Sequence, residues 1–383
     1  MGAVNNNILT YLKWRGDLSF SQVPFNEVDG LILSELSYIA WEKGIESEEK
    51  NELRCLYEIM KDTSYTRQIS SDEDADLFMK CSYSSRFGNM VVSDYVSETD
   101  ESEHKQFAAI TFKLSDNTVF ISFRGTDGTI TGWEEDCNLA FSEPIPAQLM
   151  AIQYLNKIAL KTEGHIRVGG HSKGGNLAVY SAAIANNGIR DRIVAVYNYD
   201  GPGLSDRIDA SNLYKAISTK LNTFVPKSSF VGMLLQHAEG YLVVNCDSLG
   251  VFQHNPYCWH VNAIGFDLTE RAKDSEFIEN VVRAWLSNVD DEERKLLIDG
   301  LFKVIQETDV QTFNREIVFK LIQNPLLINK ALQTFSTENK KRILKKLLEL
   351  SAQINREATI RQQTFFKDLF GTASEKVKGL LNG

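Results

Sequence analysis

Ser172 sits in the run Val168-Gly-Gly-His-Ser-Lys-Gly-Gly-Asn-Leu-Ala178, with Gly170 and Gly174 two positions to either side. A serine at the centre of Gly-x-Ser-x-Gly, after a short β-like run and before a helix-like one, predicts a nucleophile elbow. The strand must turn so sharply that the hydroxyl stands clear, and glycine removes the Cβ atoms that would clash. His165 to Gly169 reads as the strand and Asn176 to Ala185 as the helix, with small residues suited to close packing on a sheet. An ordinary glycine-rich turn is the plain alternative.

A serine hydroxyl is a weak nucleophile, so acyl chemistry needs a histidine base, an acid to orient it, and donors for the oxyanion. In hydrolases with this elbow the partners follow in the order serine, acid, histidine. His254, in a loop after the strand expected at Tyr241 to Asn245, is the favoured base. His260, beside Trp259, reads as a packed core histidine and His237 as a surface one, while His171 points the wrong way for a base. Asp200, between the strand ending at Tyr199 and Gly201-Pro-Gly203, is the favoured acid. Asp247 competes with it, and Asp200 could instead be only a turn residue. The oxyanion donors expected are the backbone N–H of Lys173 and the amide and hydroxyl of Thr126, in the loop Phe123-Arg-Gly-Thr126, where Gly125 permits close backbone approach.

These parts need a scaffold. Gln106 to Lys113 and Thr118 to Phe123 read as a hairpin. A helix at about 146–162, the elbow, a strand at 192–199, a helix near 206–219 and strands at 221–225 and 241–245 then follow. Alternation of this kind predicts an α/β class protein with a mainly parallel sheet flanked by helices. Residues 28–42 carry a helical apolar stripe, and 43–104 turn charged, with solvated turns at 70–76 and 97–103 and short helices that could cover a site as a lid. From 266 onward the strand pattern is expected to stop. Phe277, Ile278, Val281, Val282, Trp285 and Leu286, then Ile343, Leu344, Leu347 and Leu348, repeat at helical spacing. The division expected is a hydrolase domain at 1–265 and an all-helical C-terminal region at 266–383.

The chain has 383 residues, 43% hydrophobic and 24% charged, enough for a large core, and a net charge of −10 that argues against nucleic acid as a partner. The first residues lack a secretory signal and no apolar run is long enough to span a bilayer, so a cytoplasmic protein is expected. The five cysteines, without a C-x-x-C pair, fit reduced thiols and no zinc site. Lys340, Lys341, Arg342, Lys345 and Lys346 flank leucines as an interfacial helix would, though the solvated face of a bundle helix is the expectation at this acidity.

Phe123-Arg-Gly-Thr-Asp127, Trp133 with Asp136, and Gly170-His-Ser-Lys-Gly-Gly175 together resemble the class 3 lipase branch of the α/β-hydrolases. Ile8 to Asp17, Asp200-Gly-Pro-Gly203, and Gln253-His254 followed by Trp259 resemble more closely the bacterial Mbeg-like family, over roughly residues 5–350. The resemblance implies an α/β-hydrolase fold and a serine hydrolase that cleaves a small-molecule or lipid ester through Ser172, His254 and Asp200, with no cofactor and no metal. A catalytically idle interaction or regulatory module is the alternative. The chain departs from the class 3 pattern in two places. Lys173 stands where an apolar residue is usual, which predicts a cation near the entrance. Ser228 and Ser229 stand after Pro226, where that class carries its acid, whereas a resemblance to animal-type lipases supports Asp200.

Overall fold

The computed structural model describes residues 6–43, 45, 51–61, 71–100, 105–126, 144–204, 210–227, 229, 240–248, 253–271 and 335–360. Its centre is an eight-stranded sheet in the order β1 (Val91–Asp100), β2 (Lys105–Lys113), β3 (Val119–Phe123), β4 (Ile166–His171), β5 (Ile193–Tyr199), β6 (Leu221–Pro226), β7 (Leu242–Val244), β8 (Leu268–Thr269). β3 to β7 run parallel, and β1, β2 and β8 are antiparallel to their neighbours. The expected hairpin is β2–β3, and every strand expected after it is present.

Side chains alternate across the pleat and divide the core in two. Phe120, Tyr197, Tyr199 and Phe224 face helices α1 (Ile8–Arg15), α2 (Glu27–Glu35), α3 (Leu53–Met60) and α4 (Asp72–Tyr83). Ile121, Phe123, Val168 and Val196 face α5 (Pro146–Lys161), α6 (Lys173–Ile184) and α8 (Ala210–Ile217). A short helix, α7 (Asn187–Arg192), precedes β5. Each large apolar side chain so buried contributes roughly 1.5–3 kcal/mol. The helices that fall between successive parallel strands lie on one face because such crossovers share one hand, which leaves the N-terminal helices to cover the other.

α2 is the element that matters most for the site. It opens on a capping box in which Asn26 accepts from the backbone of Val28 and Asp29 while Asp29 accepts from Asn26 N–H. It is buried from Val28 to Glu35, so it packs on β4 all round rather than along one stripe. Asp29 is clamped at its other side by Arg86, whose Nε and Nη2 reach the two carboxylate oxygens at 2.7 and 2.5 Å. The tyrosine at the end of β5 ties the helix start to the sheet, Tyr199 donating to Glu27 C=O at 2.5 Å. The helix stops at Glu35 and a 3₁₀ turn follows over Leu36–Tyr38, earlier than the apolar stripe to 42 predicts.

Three stretches differ from the sequence expectation. Asp72 to Asp76, expected in a solvated turn, open α4 with Ser71 as its N-cap and Asp74 buried. Ser97 to Asp100 continue β1 instead of forming a solvated turn; β1 is an edge strand, bulged between Ser93 and Val96, and Glu98 on it pairs with Lys105 on β2. Strand structure also continues past 266, as the two-residue β8. Within 43–104, Leu53, Leu56, Leu77, Phe78 and Cys81 lie in the same core as α2.

By Cα packing the chain divides into two units, Met1–Asp127 with Asn138–Ser275, and Gly128–Cys137 with Glu276–Gly383. The described part of the second is helix α9 (Thr337–Ile360), where Ile343 and Leu344 are buried and Lys345 and Lys346 each reach Glu349. The apolar positions expected at 277–286 lie outside the described residues. Among the described residues no helix is long and apolar enough to cross a membrane.

Candidate active site

The turn after β4 carries Ser172 at φ 57°, ψ −135°, a conformation that a non-glycine residue adopts only when its surroundings impose it. They do so at both ends. Ser172 N–H donates to Tyr199 C=O and Ser172 C=O accepts from Gly175 N–H, each at 2.9 Å. Gly174 then passes so close to β3 that a Cβ there would stand 2.1 Å from Phe123 O. α6 begins at Lys173, so the positive end of the helix dipole lies at this turn.

The loop after β3 abuts this turn. A Cβ on Gly125 would lie 2.6 Å from His171 O and 3.0 Å from the Ser172 Cβ, so only glycine lets Arg124-Gly125-Thr126 run past the serine. Thr126, next in the chain, is half-buried at the same edge. Asp127, Trp133, Asp136 and His237 lie outside the described residues.

Asp200 follows β5 and also has positive φ, 51°, with its N–H on Phe224 C=O at 2.8 Å. The loop it opens is held from below: Asn198 Oδ1 accepts from Gly201 N–H at 2.9 Å, and Asn176 donates to Gly203 C=O at 2.7 Å. The Asp200 side chain is fully buried, and a buried carboxylate requires donors. Oδ2 lies 2.7 Å from His254 Nδ1 and Oδ1 accepts from the Ser229 hydroxyl. Ser229 is a part that the chain's residue pattern did not mark as functional. Ser228 lies outside the described residues.

The competing acid is occupied elsewhere, with Asp247 Oδ2 2.9 Å from His260 Nε2. His260 is therefore a partly exposed, carboxylate-paired residue and not the packed core histidine expected from its neighbour Trp259, because it faces Asp247 on one side and Asp267 on the other. Lys173 also departs from expectation. Its side chain is buried, and Nζ donates to Gln106 C=O at 3.0 Å and Gln106 Oε1 at 3.3 Å, so it presents no cation at an entrance.

His171, set aside as a base in the sequence, has neighbours at both ring nitrogens. Nε2 is 2.9 Å from the backbone oxygen of His254, the two rings lie 4.5 Å apart, and Nδ1 is 3.3 Å from Glu35 Oε1. Burial, and then the neighbouring His254, hold His171 well below the usual imidazole range. Burial, and then Asp74, hold Glu35 well above the usual carboxyl range. Sequence reasoning passed over Glu35; its one signal is a carboxylate inside the otherwise apolar and small run from Gly30 to Ala40. Cys55, Cys81, Cys246 and Cys258 are thiols, and among the described residues no cluster of histidine, cysteine and carboxylate could hold a metal.

The chain is similar in structure to M37 lipase at 13% identity (TM-score 0.36, 55% of this chain and 70% of that one). It is similar to lipase II from Rhizopus niveus at 11% identity (TM-score 0.36, 57% and 80%) and to the lipase from Rhizopus microsporus var. chinensis at 13% (TM-score 0.35, 64% and 81%). No curated protein matches the chain. The mainly parallel sheet flanked by helices, with a strained serine at the β4 to α6 turn, is an α/β-hydrolase fold. The Mbeg1-like family model matches residues 81–303, more than half of the chain and including the elbow, the Asp200 loop and His254, and the protein belongs to that family.

Proposed function

We propose that the protein is a serine hydrolase that cleaves an ester-type acyl substrate. In this reading Ser172 is the nucleophile, His254 the base and Asp200 the acid that orients it. Nδ1–H of His254 donates to Asp200, which leaves the lone pair on Nε2 to take the Ser172 proton as Oγ bonds to the acyl carbon. The oxyanion receives the N–H of Lys173 and the amide or hydroxyl of Thr126. On collapse Nε2 returns the proton to the leaving alcohol oxygen. A water then attacks the acyl-serine, giving its proton to the same nitrogen, which passes it to Ser172 Oγ as the acyl–oxygen bond breaks and the acid product departs. No cofactor or metal takes part.

The observation that carries the reading is the 2.7 Å contact between His254 Nδ1 and the buried Asp200 carboxylate, at the same sheet edge as a serine with φ 57°. A small-molecule or lipid ester is the substrate class, the hydrolase unit is 1–265 with a helical region after it, and a cytoplasmic location is proposed with it. Fluorophosphonate labelling tests the chemistry. Wild type is expected to label and Ser172→Ala is not. Equal labelling of both removes the assignment and favours the idle interaction module.

A further inference from the structure

We propose that Glu35 is a positioning residue of this site: it stays protonated, donates to Nδ1 of His171, and so fixes His171 as the neutral tautomer whose Nε2–H holds the backbone carbonyl of His254. The proposal rests on the reading of His254 as the base.

The tautomer follows from what each nitrogen faces. A backbone carbonyl can only accept, so the 2.9 Å contact between His171 Nε2 and His254 O requires the proton on Nε2. In a neutral ring Nδ1 is then a lone pair. Glu35 Oε1 lies 3.3 Å from it, close but not aligned as a hydrogen bond, the side chains being 6% and 8% exposed; among the described residues Oε1 has no hydrogen-bond partner, and the Tyr38 hydroxyl is the other group near Nδ1. An ionised carboxylate there would be a buried charge aimed at a lone pair. A protonated carboxyl turns the same contact into a donor and an acceptor.

The other pairing, imidazolium with carboxylate, is opposed by the surroundings. The His171 ring lies 4.5 Å from the His254 ring, so a cation at 171 would repel the imidazolium that His254 must become during turnover. Asp74, on α4, adds negative charge near Glu35 and disfavours its ionisation. Tyr257 donates to Asp74 Oδ1 at 2.6 Å, and the Tyr38 hydroxyl lies 3.5 Å from Nδ1 as a second, longer contact. Burial moves both partners the same way, toward the uncharged forms.

The consequence is mechanical. The segment carrying His254 is held at its backbone by His171 and three residues later by Tyr257 on Asp74. The base therefore depends on α2 and α4, elements from the N-terminal part of the chain, for its position.

The test compares Glu35→Gln with Glu35→Leu in the full chain. A glutamine amide keeps a donor to Nδ1; leucine keeps the volume and removes it. Expected are fluorophosphonate labelling within about threefold of wild type for E35Q and a fall of about 100-fold for E35L, the scale of a misplaced catalytic group. Equal loss in E35Q and E35L overturns the proposal, since a carboxylate would then be what matters. ¹⁵N spectra of histidine-labelled wild type give a readout without mutation. His171 is expected to hold the neutral Nε2–H form between about pH 5 and 8. An imidazolium titrating in that range overturns the proposal even if both variants fail to fold. Should wild type not label, the hydrolase reading falls, while the same spectra still decide the Glu35–His171 hydrogen bond.

Discussion

Asp200 divides its carboxylate between two partners, His254 Nδ1 on Oδ2 at 2.7 Å and the Ser229 hydroxyl on Oδ1. Both donors enter a fully buried side chain, so each fixes the direction of the other. An amide at 200 would set an N–H against one of these donors and change the tautomer of His254. Asp200→Asn is accordingly expected to lower kcat on a p-nitrophenyl ester by about 10⁴-fold. Ser229→Ala removes one donor to a charged group and is expected to cost about tenfold. Full turnover by Asp200→Asn would show that the base is oriented by something else.

Asp247 supplies the contrasting case. Its carboxylate stands 2.9 Å from His260 Nε2 and is half exposed, on a different histidine from the one that Asp200 holds. Asp247→Asn is expected to leave ester turnover within about twofold of wild type, as exposed ion pairs contribute little. A loss comparable to that of Asp200→Asn would reassign the acid.

The contrast between these two aspartates also shows what the chain disclosed of itself. The elbow was legible because its parts are local: a β-run, two glycines around a serine and a small-residue helix lie in one stretch from His165 to Ala185. Alternation of strand and helix disclosed the parallel core, for the same reason. Partners that meet only through the fold were harder. Ser229 reaches Asp200 because β6 lies beside β5, and Glu35 reaches His171 because α2 docks on β4. The outer half of edge strand β1, from Ser97 to Asp100, buries no side chain fully and so shows no period, and Lys173 looked solvent-directed until β2 placed the Gln106 carbonyl above it. Chemistry-bearing residue types can be read from a chain; their burial is a property of neighbours distant in sequence.

The strain at Ser172 has a thermodynamic signature separable from its chemistry. With φ at 57° a Cβ is unfavourable, and the position tolerates it only through the Tyr199 and Gly175 hydrogen bonds. Both Ser172→Ala and Ser172→Gly remove the hydroxyl, but only the second removes the Cβ. Ser172→Gly is expected to be more stable than Ser172→Ala by about 1 kcal/mol in urea unfolding, with both inactive. Equal or reversed stabilities would mean that the turn is relaxed in solution.

Helix α2 owes its anchoring to the Asp29–Arg86 pair, whose two side chains are entirely buried. Arg86 also donates to the carbonyls of Leu18, Val23 and Pro24 and stacks on Phe20 at 4.2 Å, so one guanidinium organises the whole approach to the helix. Arg86→Leu strands the Asp29 charge and is expected to destabilise the fold by about 3–5 kcal/mol. The double variant with Asp29→Leu is expected to recover part of that loss, because the uncompensated charge is gone. Thermal unfolding of the three proteins measures both effects, and additive losses would contradict them.

The His171–Glu35 pair predicts a particular dependence of stability on pH. His171 titrates well below 6.5 in the folded chain, so below that value the unfolded chain binds a proton that the folded one refuses. Its contribution is fully present above about pH 6.5 and is lost as pH falls, by up to about 1.4 kcal/mol per unit. Glu35 titrates well above 4.5, so above that value the folded chain keeps a proton that the unfolded one releases. Its contribution is fully present below about pH 4.5 and is lost as pH rises, with the opposite slope. The two slopes oppose each other, and the glutamate one runs upward from about pH 4.5 until its raised folded-state value is passed. Glu35→Gln removes that slope alone. Urea unfolding of wild type and E35Q over a pH series is therefore expected to show the variant gaining on wild type steadily above about pH 4.5, all other groups cancelling in the difference. Parallel curves would mean that Glu35 is ionised in the folded protein, and that the contact with Nδ1 is an ion pair.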